Sequence, residues 1–104
     1  MASEHSLVVG DSVLDYDAQS VSIGGGQAET IPTKEFMLLF KLLSYPDKIF
    51  TRRELLDEIW GMEHEVDERT VDVHIKRVRE RYRDCGDFEI ITVRGLGYKA
   101  KRLK

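Results

Sequence analysis

The first thirty residues alternate short apolar segments with clusters of turn-forming residues. The apolar segments are 7–9, 13–16 and 21–23, and three glycines, 24–26, follow the last of them. Short apolar segments separated by Gly, Asp and Ser are typical of antiparallel strands. We therefore predict a meander whose fourth strand covers 27–30. No Lys-Ser/Thr pair follows the glycine triplet, so it favours a hairpin turn over a phosphate-binding loop.

From residue 33 the apolar positions take the spacing of helices with one buried face. The first predicted helix covers 33–44 and ends at Tyr45, because the residue before a proline disfavours helical conformation. The second begins at Thr51, which forms a capping box with Glu54, and ends at Gly61. The residues expected to face the core are Phe36, Leu39, Phe40, Leu43, Leu55, Leu56, Ile59 and Trp60.

A third helix over about 68–83 is predicted after Asp67, whose carboxylate can accept hydrogen bonds from the first free N–H groups. At roughly 100° per residue, one stripe of this helix faces the core. That stripe consists of Val71, Ile75, Val78 and Tyr82. Two strands, 89–93 and 98–101, follow and are joined by a tight turn at 95–97. The expected fold class is α+β, with four strands, three helices and a C-terminal hairpin in that order.

The length of 104 residues indicates one domain with one core. The longest apolar runs, such as 36–40, fall far short of the roughly 20 residues that cross a bilayer. The first residues lack a positive region followed by an apolar one, so no secretory signal is predicted. We expect residues 1–6 to be disordered or of cloning origin. Cys85, the single cysteine, cannot form an internal disulfide, which favours a reducing cytoplasm.

Charge is segregated along the chain, although the formal net charge is only −3. Residues 1–68 hold 5 Lys/Arg and 14 Asp/Glu, a net charge of −9, whereas residues 69–104 hold 11 Lys/Arg and 5 Asp/Glu, a net charge of +6. Charges more than about 10 Å apart are largely screened at 0.1 M salt, so a polyanion responds to the local field. The C-terminal third is therefore the candidate contact surface, unless it is a solvated basic end that balances an acidic one.

The outward face of the third helix carries groups that suit the major groove of DNA. Six of the fifteen residues from Arg69 to Arg83 are Lys or Arg, against two acids. Arginine can make two parallel hydrogen bonds to guanine, and an exposed valine such as Val73 can contact a thymine methyl. The composition of this face therefore favours a helix that contacts DNA bases over the alternative, a charged helix on a protein–protein surface.

The hairpin adds a second basic element. From Arg94 to the end there are five Lys/Arg and no acids, and Arg94 lies beside two glycines at the turn. A small positive tip can enter a narrow minor groove, where the negative potential is deepest. The alternative is a basic edge strand that prevents aggregation.

No arrangement of residues predicts an enzyme, a metal site or a cofactor. The three histidines, His5, His64 and His74, are scattered, and Cys85 has no partner at metal-ligand spacing. No serine occupies a nucleophile elbow. The competing function is a protein-interaction module, in which the acidic N-terminal part binds a basic partner.

Several separate motifs occur in one fixed order. They are residues 34–39, 50–56, 59–61, 69–75, 77–79 and 92–98. In this order, over residues 7–101, they resemble the OmpR/PhoB family of response-regulator effector domains. The resemblance implies a winged helix-turn-helix: an N-terminal four-stranded antiparallel sheet, a three-helix core and a C-terminal β-hairpin wing. It also implies sequence-specific binding of double-stranded DNA, with the recognition helix at about 68–83 in the major groove and the wing at 94–98 in the minor groove.

The resemblance implies roles for individual residues. Base contacts would come from Arg77 and Val73, with Arg79 and Asp72 next, and from Arg94 in the minor groove. The residues that would touch or position phosphates are Trp60, Arg69, Thr70, His74, Lys76, Thr92 and Tyr98. Ile31 and Pro32 replace a Leu-Thr pair that is common before the first helix, so the usual threonine cap is lost there.

The resemblance also implies partners. The domain would bind promoter DNA as a tandem dimer on direct repeats, and the acidic loop 62–68 would meet RNA polymerase. A receiver domain, which a sensor kinase phosphorylates, would belong to the full-length regulator and is a separate fold for which 104 residues leave no room. The expected role is therefore the output domain of a bacterial two-component system.

Overall fold

Four short strands open the chain and form one antiparallel sheet. The computed structural model describes residues 5–61, 63 and 65–104. The strands are β1 (Ser6–Val9), β2 (Ser12–Asp15), β3 (Ser20–Ser22) and β4 (Glu29–Thr30), in the order β1-β2-β3-β4. Residues alternate between the two faces, so Val9 and Leu14 are buried whereas Val8 and Val13 are exposed. The predicted meander is confirmed, although β4 is two residues shorter than the predicted 27–30. Ser6, expected among the disordered residues, begins β1, and residues 1–4 lie outside the described part.

Helix α1 (Thr33–Ser44) has the predicted bounds. Its N-cap is Pro32, which provides no side-chain hydrogen bond. The helix nevertheless starts where predicted without a threonine cap, because the Pro32 carbonyl accepts a hydrogen bond from the Phe36 N–H at 2.9 Å. The buried face is wider than predicted, since Leu38 and Leu42 are fully buried as well. Phe40 is only partly buried and stacks on Phe36 with ring centroids 5.6 Å apart.

The second helix begins with the predicted capping box. The Glu54 N–H donates to Thr51 Oγ1 at 3.0 Å, and the Thr51 N–H donates to the Glu54 carboxylate at 2.8 Å. This helix, α2 (Arg52–Leu55), continues as a π-helical turn, Leu56–Trp60. Gly61, with φ of 60°, ends it as predicted. All four predicted core residues of this segment are buried; they are Leu55, Leu56, Ile59 and Trp60.

Helix α3 (Glu68–Arg81) packs its apolar stripe against the core. Asp67 caps it by accepting the Arg69 N–H at 2.9 Å. Val71, Ile75 and Val78 are buried, as the spacing predicts. The helix ends two residues earlier than predicted, with Tyr82 as its C-cap. Among the described residues, no helix has the length and apolarity that a membrane crossing requires.

The C-terminal hairpin belongs to a three-stranded sheet. Its strands are β6 (Phe88–Val93) and β7 (Gly97–Arg102), and β5 (Phe50–Thr51) joins the free edge of β7 in the order β5-β7-β6. The sequence predicted the hairpin but not β5, because a two-residue strand has no periodicity of its own. β5 thereby ties the start of α2 to the end of β7 that lies next to the hairpin turn.

A buried carboxylate connects the two sheets. Asp87, which precedes β6, accepts a hydrogen bond from the Ser12 hydroxyl at 2.5 Å. The Arg102 guanidinium donates to the Val8 carbonyl, and the Leu103 N–H donates to the Asp87 carbonyl at 2.8 Å. These bonds fasten the end of β7 to the N-terminal sheet.

Gly97 lies where β5 approaches β7 most closely. A Cβ at this position would overlap the Phe50 carbonyl oxygen, which is backbone and cannot rotate away. We expect Gly97→Ala to lower the free energy of unfolding by about 3 kcal/mol, the upper part of the range for overpacking. Urea unfolding measures this change. Gly86→Ala is the matched control: a Cβ there meets open space, and its effect should stay within about 0.5 kcal/mol. Equal effects of the two substitutions would contradict the close approach.

Candidate nucleic-acid interface

The outward face of α3 presents an apolar side chain between cations. Val73 is 46% exposed, and Arg69, Lys76 and Arg77 are exposed as well. The predicted outward orientation of Val73 and Arg77 is confirmed. Among the described residues, neither Lys76 nor Arg77 forms an ion pair within 4.0 Å. Their donors are therefore available to a ligand.

One flank of α3 packs on the second helix. The imidazole Nδ1 of His74 lies 2.8 Å from the Thr70 carbonyl oxygen, an acceptor, so Nδ1 is the nitrogen that carries the proton. The Trp60 ring meets the His74 ring edge-to-face with centroids 5.0 Å apart. Because Trp60 is only 5% exposed, its main contribution here is to hold the His74 ring in place. Arg69, at the start of the helix, is 85% exposed and pairs with Asp67 at 3.2 Å.

The opposite flank begins with Asp72, whose carboxylate accepts three hydrogen bonds. Arg52 donates two of them, from Nε at 3.1 Å and from Nη2 at 2.6 Å. The Tyr98 hydroxyl donates the third at 2.6 Å. Asp72 therefore joins three elements: α3, the first turn of α2, and β7.

Arg79 lies two turns further along the same flank and also bonds to the hairpin. Its Nε donates to the Ile90 carbonyl at 3.1 Å, and its Nη2 donates to Thr92 Oγ1 at 2.6 Å. Its guanidinium lies 5.5 Å from the centroid of the Tyr98 ring, within cation–π range. Asp72 and Arg79, predicted as further base contacts, thus have polar atoms engaged inside the protein.

Burial and hydrogen bonding together determine the electrostatics of this cluster. Burial, together with the hydrogen bond to the Asp72 carboxylate, raises the pKa of Tyr98 to about 12. The same carboxylate raises the pKa of Arg52 above its ordinary value, chiefly through their side-chain hydrogen bond. At neutral pH the cluster therefore contains a neutral phenol at Tyr98 and a guanidinium cation at Arg52.

The tip of the hairpin projects beyond this cluster. Arg94 and Leu96 are exposed, and Gly95 takes a φ of 78° that favours glycine. A cleft of about 470 Å³ separates the tip from α3 and from the start of α2. Its walls include Arg52, Arg53, Glu68, Thr92 and Leu96.

Sequence reasoning missed Arg52 and Arg53 as part of this surface. Both lie in the first turn of α2, where positive charge opposes the helix dipole. That unfavourable placement is the signal that could have revealed them. The structure accounts for both: Arg52 bonds Asp72, and Arg53 lies 3.6 Å from Glu68.

The acidic loop 62–68 is described only in part, because Met62 and His64 lie outside the described residues. Of the others, Glu63 pairs with Lys34 at 2.9 Å, and Glu65 is exposed. The loop thus retains at least one exposed acidic side chain.

Comparisons with known proteins agree on one family. The family model described as "Transcriptional regulatory protein, C terminal" matches residues 26–100. The heme response regulator HssR of Staphylococcus aureus strain JH9 is 42% identical over 100 residues, which are 95% of this chain and 44% of that protein. The chain thus spans less than half the length of this curated relative.

Solved structures share the fold over most of this chain. The DNA-binding domain of Escherichia coli CpxR superposes with a TM-score of 0.79 at 27% identity, covering 95% of this chain and 98% of that one. The Klebsiella pneumoniae RstA DNA-binding domain, in complex with RstA box, has a TM-score of 0.76 at 29% identity, covering 92% and 96%. The chain therefore belongs to the family of C-terminal domains of transcriptional regulatory proteins, as a winged-helix DNA-binding output domain of the OmpR/PhoB type.

Proposed function

We propose that this domain reads promoter DNA with α3 in the major groove and the hairpin tip in the minor groove. The observation that carries the proposal is the exposure of Val73 and Arg77 on the side of α3 opposite its buried stripe. Arg77 suits the two acceptors of guanine, and Val73 suits a thymine methyl. Arg94, at the exposed tip, suits a narrow minor groove.

A second group of side chains positions the domain on the phosphate backbone. We call the outward surface around Val73 and Arg77 the reading face of α3. Arg69 and Lys76 are exposed cations that flank this face, and Thr70 and His74 line one side of it. The Thr92 hydroxyl accepts from Arg79, which leaves its own proton free for a phosphate oxygen. Trp60 supports His74 from beneath, and Tyr98, equally buried, supports Thr92 as its cross-strand neighbour. These contacts orient the domain without reading sequence.

The wider assignment concerns the whole regulator. Because HssR, a response regulator, is more than twice as long as the matched region, we propose that a receiver domain and a sensor kinase control this output domain in the bacterial cytoplasm. Two copies would bind direct repeats as a tandem dimer, and loop 62–68 would offer acidic groups to RNA polymerase. The exposed Glu65 and the acidic composition of this loop support the last assignment.

Binding to duplex DNA should weaken steeply with salt. Each neutralised phosphate releases counterions, so log K falls with log salt at about −0.9 per contact. With several cationic contacts we expect a slope of about −3 or steeper for a single-site duplex. Fluorescence anisotropy at several salt concentrations measures it.

Two lysine variants localise the salt effect. Lys76→Ala should make the slope shallower by about 1, because one phosphate contact is lost. Lys101→Ala removes the same charge four residues from Gly97, at the far end of β7, and should leave the slope unchanged. A flat salt response of the unmodified domain would favour a protein-binding role instead.

The roles of Arg77 and Lys76 should separate in a sequence selection. Arg77→Ala should cost about 1–3 kcal/mol of binding and relax the preference at one base pair, because the bidentate contact to guanine is lost. Lys76→Ala should weaken binding to all sequences about equally, since phosphates carry no sequence information. Selection from a random duplex pool measures both effects. Unchanged selected sequences and affinities for both variants would contradict the proposed docking.

A further inference from the structure

The last two rows of paired residues before the hairpin tip are Thr92–Tyr98 and Val93–Gly97. Side chains of α3 form hydrogen bonds with both residues of the Thr92–Tyr98 pair. Arg79 bonds Thr92, and Asp72 bonds Tyr98. Arg94 therefore lies only two residues beyond Thr92, which is hydrogen-bonded to α3.

The spacing of Asp72 and Arg79 along α3 lets both side chains contact Tyr98. Asp72 and Arg79 are seven residues apart in α3. Seven residues make almost two full turns, so the two side chains lie on nearly the same side of the helix, about 10 Å apart along its axis. Tyr98 lies between them, with its hydroxyl on Asp72 and its ring against the Arg79 guanidinium. One rigid aromatic side chain thus contacts α3 at two points.

The side chains of Tyr98 and Arg79 direct hydrogen bonds to other residues of the protein, whereas Arg77 does not. Tyrosine has one O–H, and in this structure it is donated to Asp72, so none is left for a phosphate oxygen, which can only accept. Arg79 donates from Nε and Nη2 to Ile90 and Thr92, so one edge of its guanidinium is fastened to the hairpin. Between described residues, Arg77 has no such bond and keeps its donors available.

We propose that Asp72 and Arg79 are positioning residues that, through Thr92 and Tyr98, fix where Arg94 lies relative to the reading face of α3. The proposal rests on the proposed function, since it requires one DNA contact in each groove. The proposal makes the DNA contacts of Arg77 and Arg94 depend on each other. If the hairpin loses its bonds to α3, Arg94 no longer lies where it can enter the minor groove while Arg77 contacts the major groove.

A double-mutant cycle on duplex binding tests this dependence. In the unmodified domain, Arg94→Ala should weaken binding about tenfold or more. In a Tyr98→Phe background, Arg94→Ala should weaken it less than about threefold, because the released wing has already lost the contact. Tyr16→Phe is the matched control, since Tyr16 packs on Phe36 and Phe40 in α1; in that background Arg94→Ala should keep its full effect.

A charge-conserving variant distinguishes positioning from base reading at Arg79. Arg79→Lys keeps the positive charge but loses the fork that bonds both Ile90 and Thr92. It should reduce the effect of Arg94→Ala as Tyr98→Phe does, and it should leave the selected sequence at α3 unchanged. A changed preference at one base pair, with the Arg94→Ala effect intact, would show that Arg79 reads a base and would overturn the proposal.

Hydrogen exchange supplies a readout that does not need DNA. Tyr98→Phe and Arg79→Lys should each speed amide exchange at residues 92–98 while exchange in α1 stays unchanged, because only the wing is released. Additive binding losses in the cycle, with normal binding by the unmodified domain, would overturn the positioning role alone. Failure of the unmodified domain to bind duplex even at low salt would refute the proposed function and this proposal with it.

Discussion

The rotational setting of α3 about its axis is the constraint on which the interface depends. Val71, Ile75 and Val78 are fully or almost fully buried. Each such side chain contributes about 1.5–3 kcal/mol when it is taken out of water. Turning the helix by one residue would expose this stripe and bury cations, and desolvating an unpaired ion costs several kcal/mol. Hydrophobic burial therefore determines that Val73 and Arg77 face outward, before any nucleic acid is present.

The sides of α3 that are neither buried nor fully exposed connect the helix to its neighbours. On one flank, Asp72 and Arg79 bond to α2 and to the hairpin. On the other flank, His74 packs on Trp60, and Arg81 pairs at 3.2 Å with Glu35, which is 3% exposed in α1. Because these contacts join α3 to α1, to the second helix and to the hairpin, the helix cannot tilt without breaking polar contacts that are partly screened from water. The outward face of α3 is thereby fastened in position relative to the hairpin.

Local patterns were enough to predict the elements, but not the contacts between them. The bounds of α1, the capping box at Thr51 and the inward stripe of α3 all follow from spacings of a few residues. The partners of Asp72 are separated from it by 20 and 26 residues, and they become neighbours only when β5 pairs with β7. A carboxylate on a basic helix gives no local indication of which distant donors will reach it. The resemblance implies base contacts from Arg77 first and Arg79 next, but nothing in the sequence indicates the bonds from Arg79 to Ile90 and Thr92.

Three arginines at alternate positions of α3 show why residue type alone does not assign a role. A step of two residues turns the helix by about 200°, so Arg79 points away from Arg77, whereas Arg81, four residues on, lies only about 40° from Arg77. Arg79 reaches the hairpin and Arg81 reaches Glu35, whereas Arg77 faces outward. The arginine count of a basic helix therefore overstates how many of its guanidinium groups are without bonds to the rest of the domain. If the proposed function holds, base reading by these three residues falls to Arg77 and not to the two arginines that fasten the helix to its neighbours.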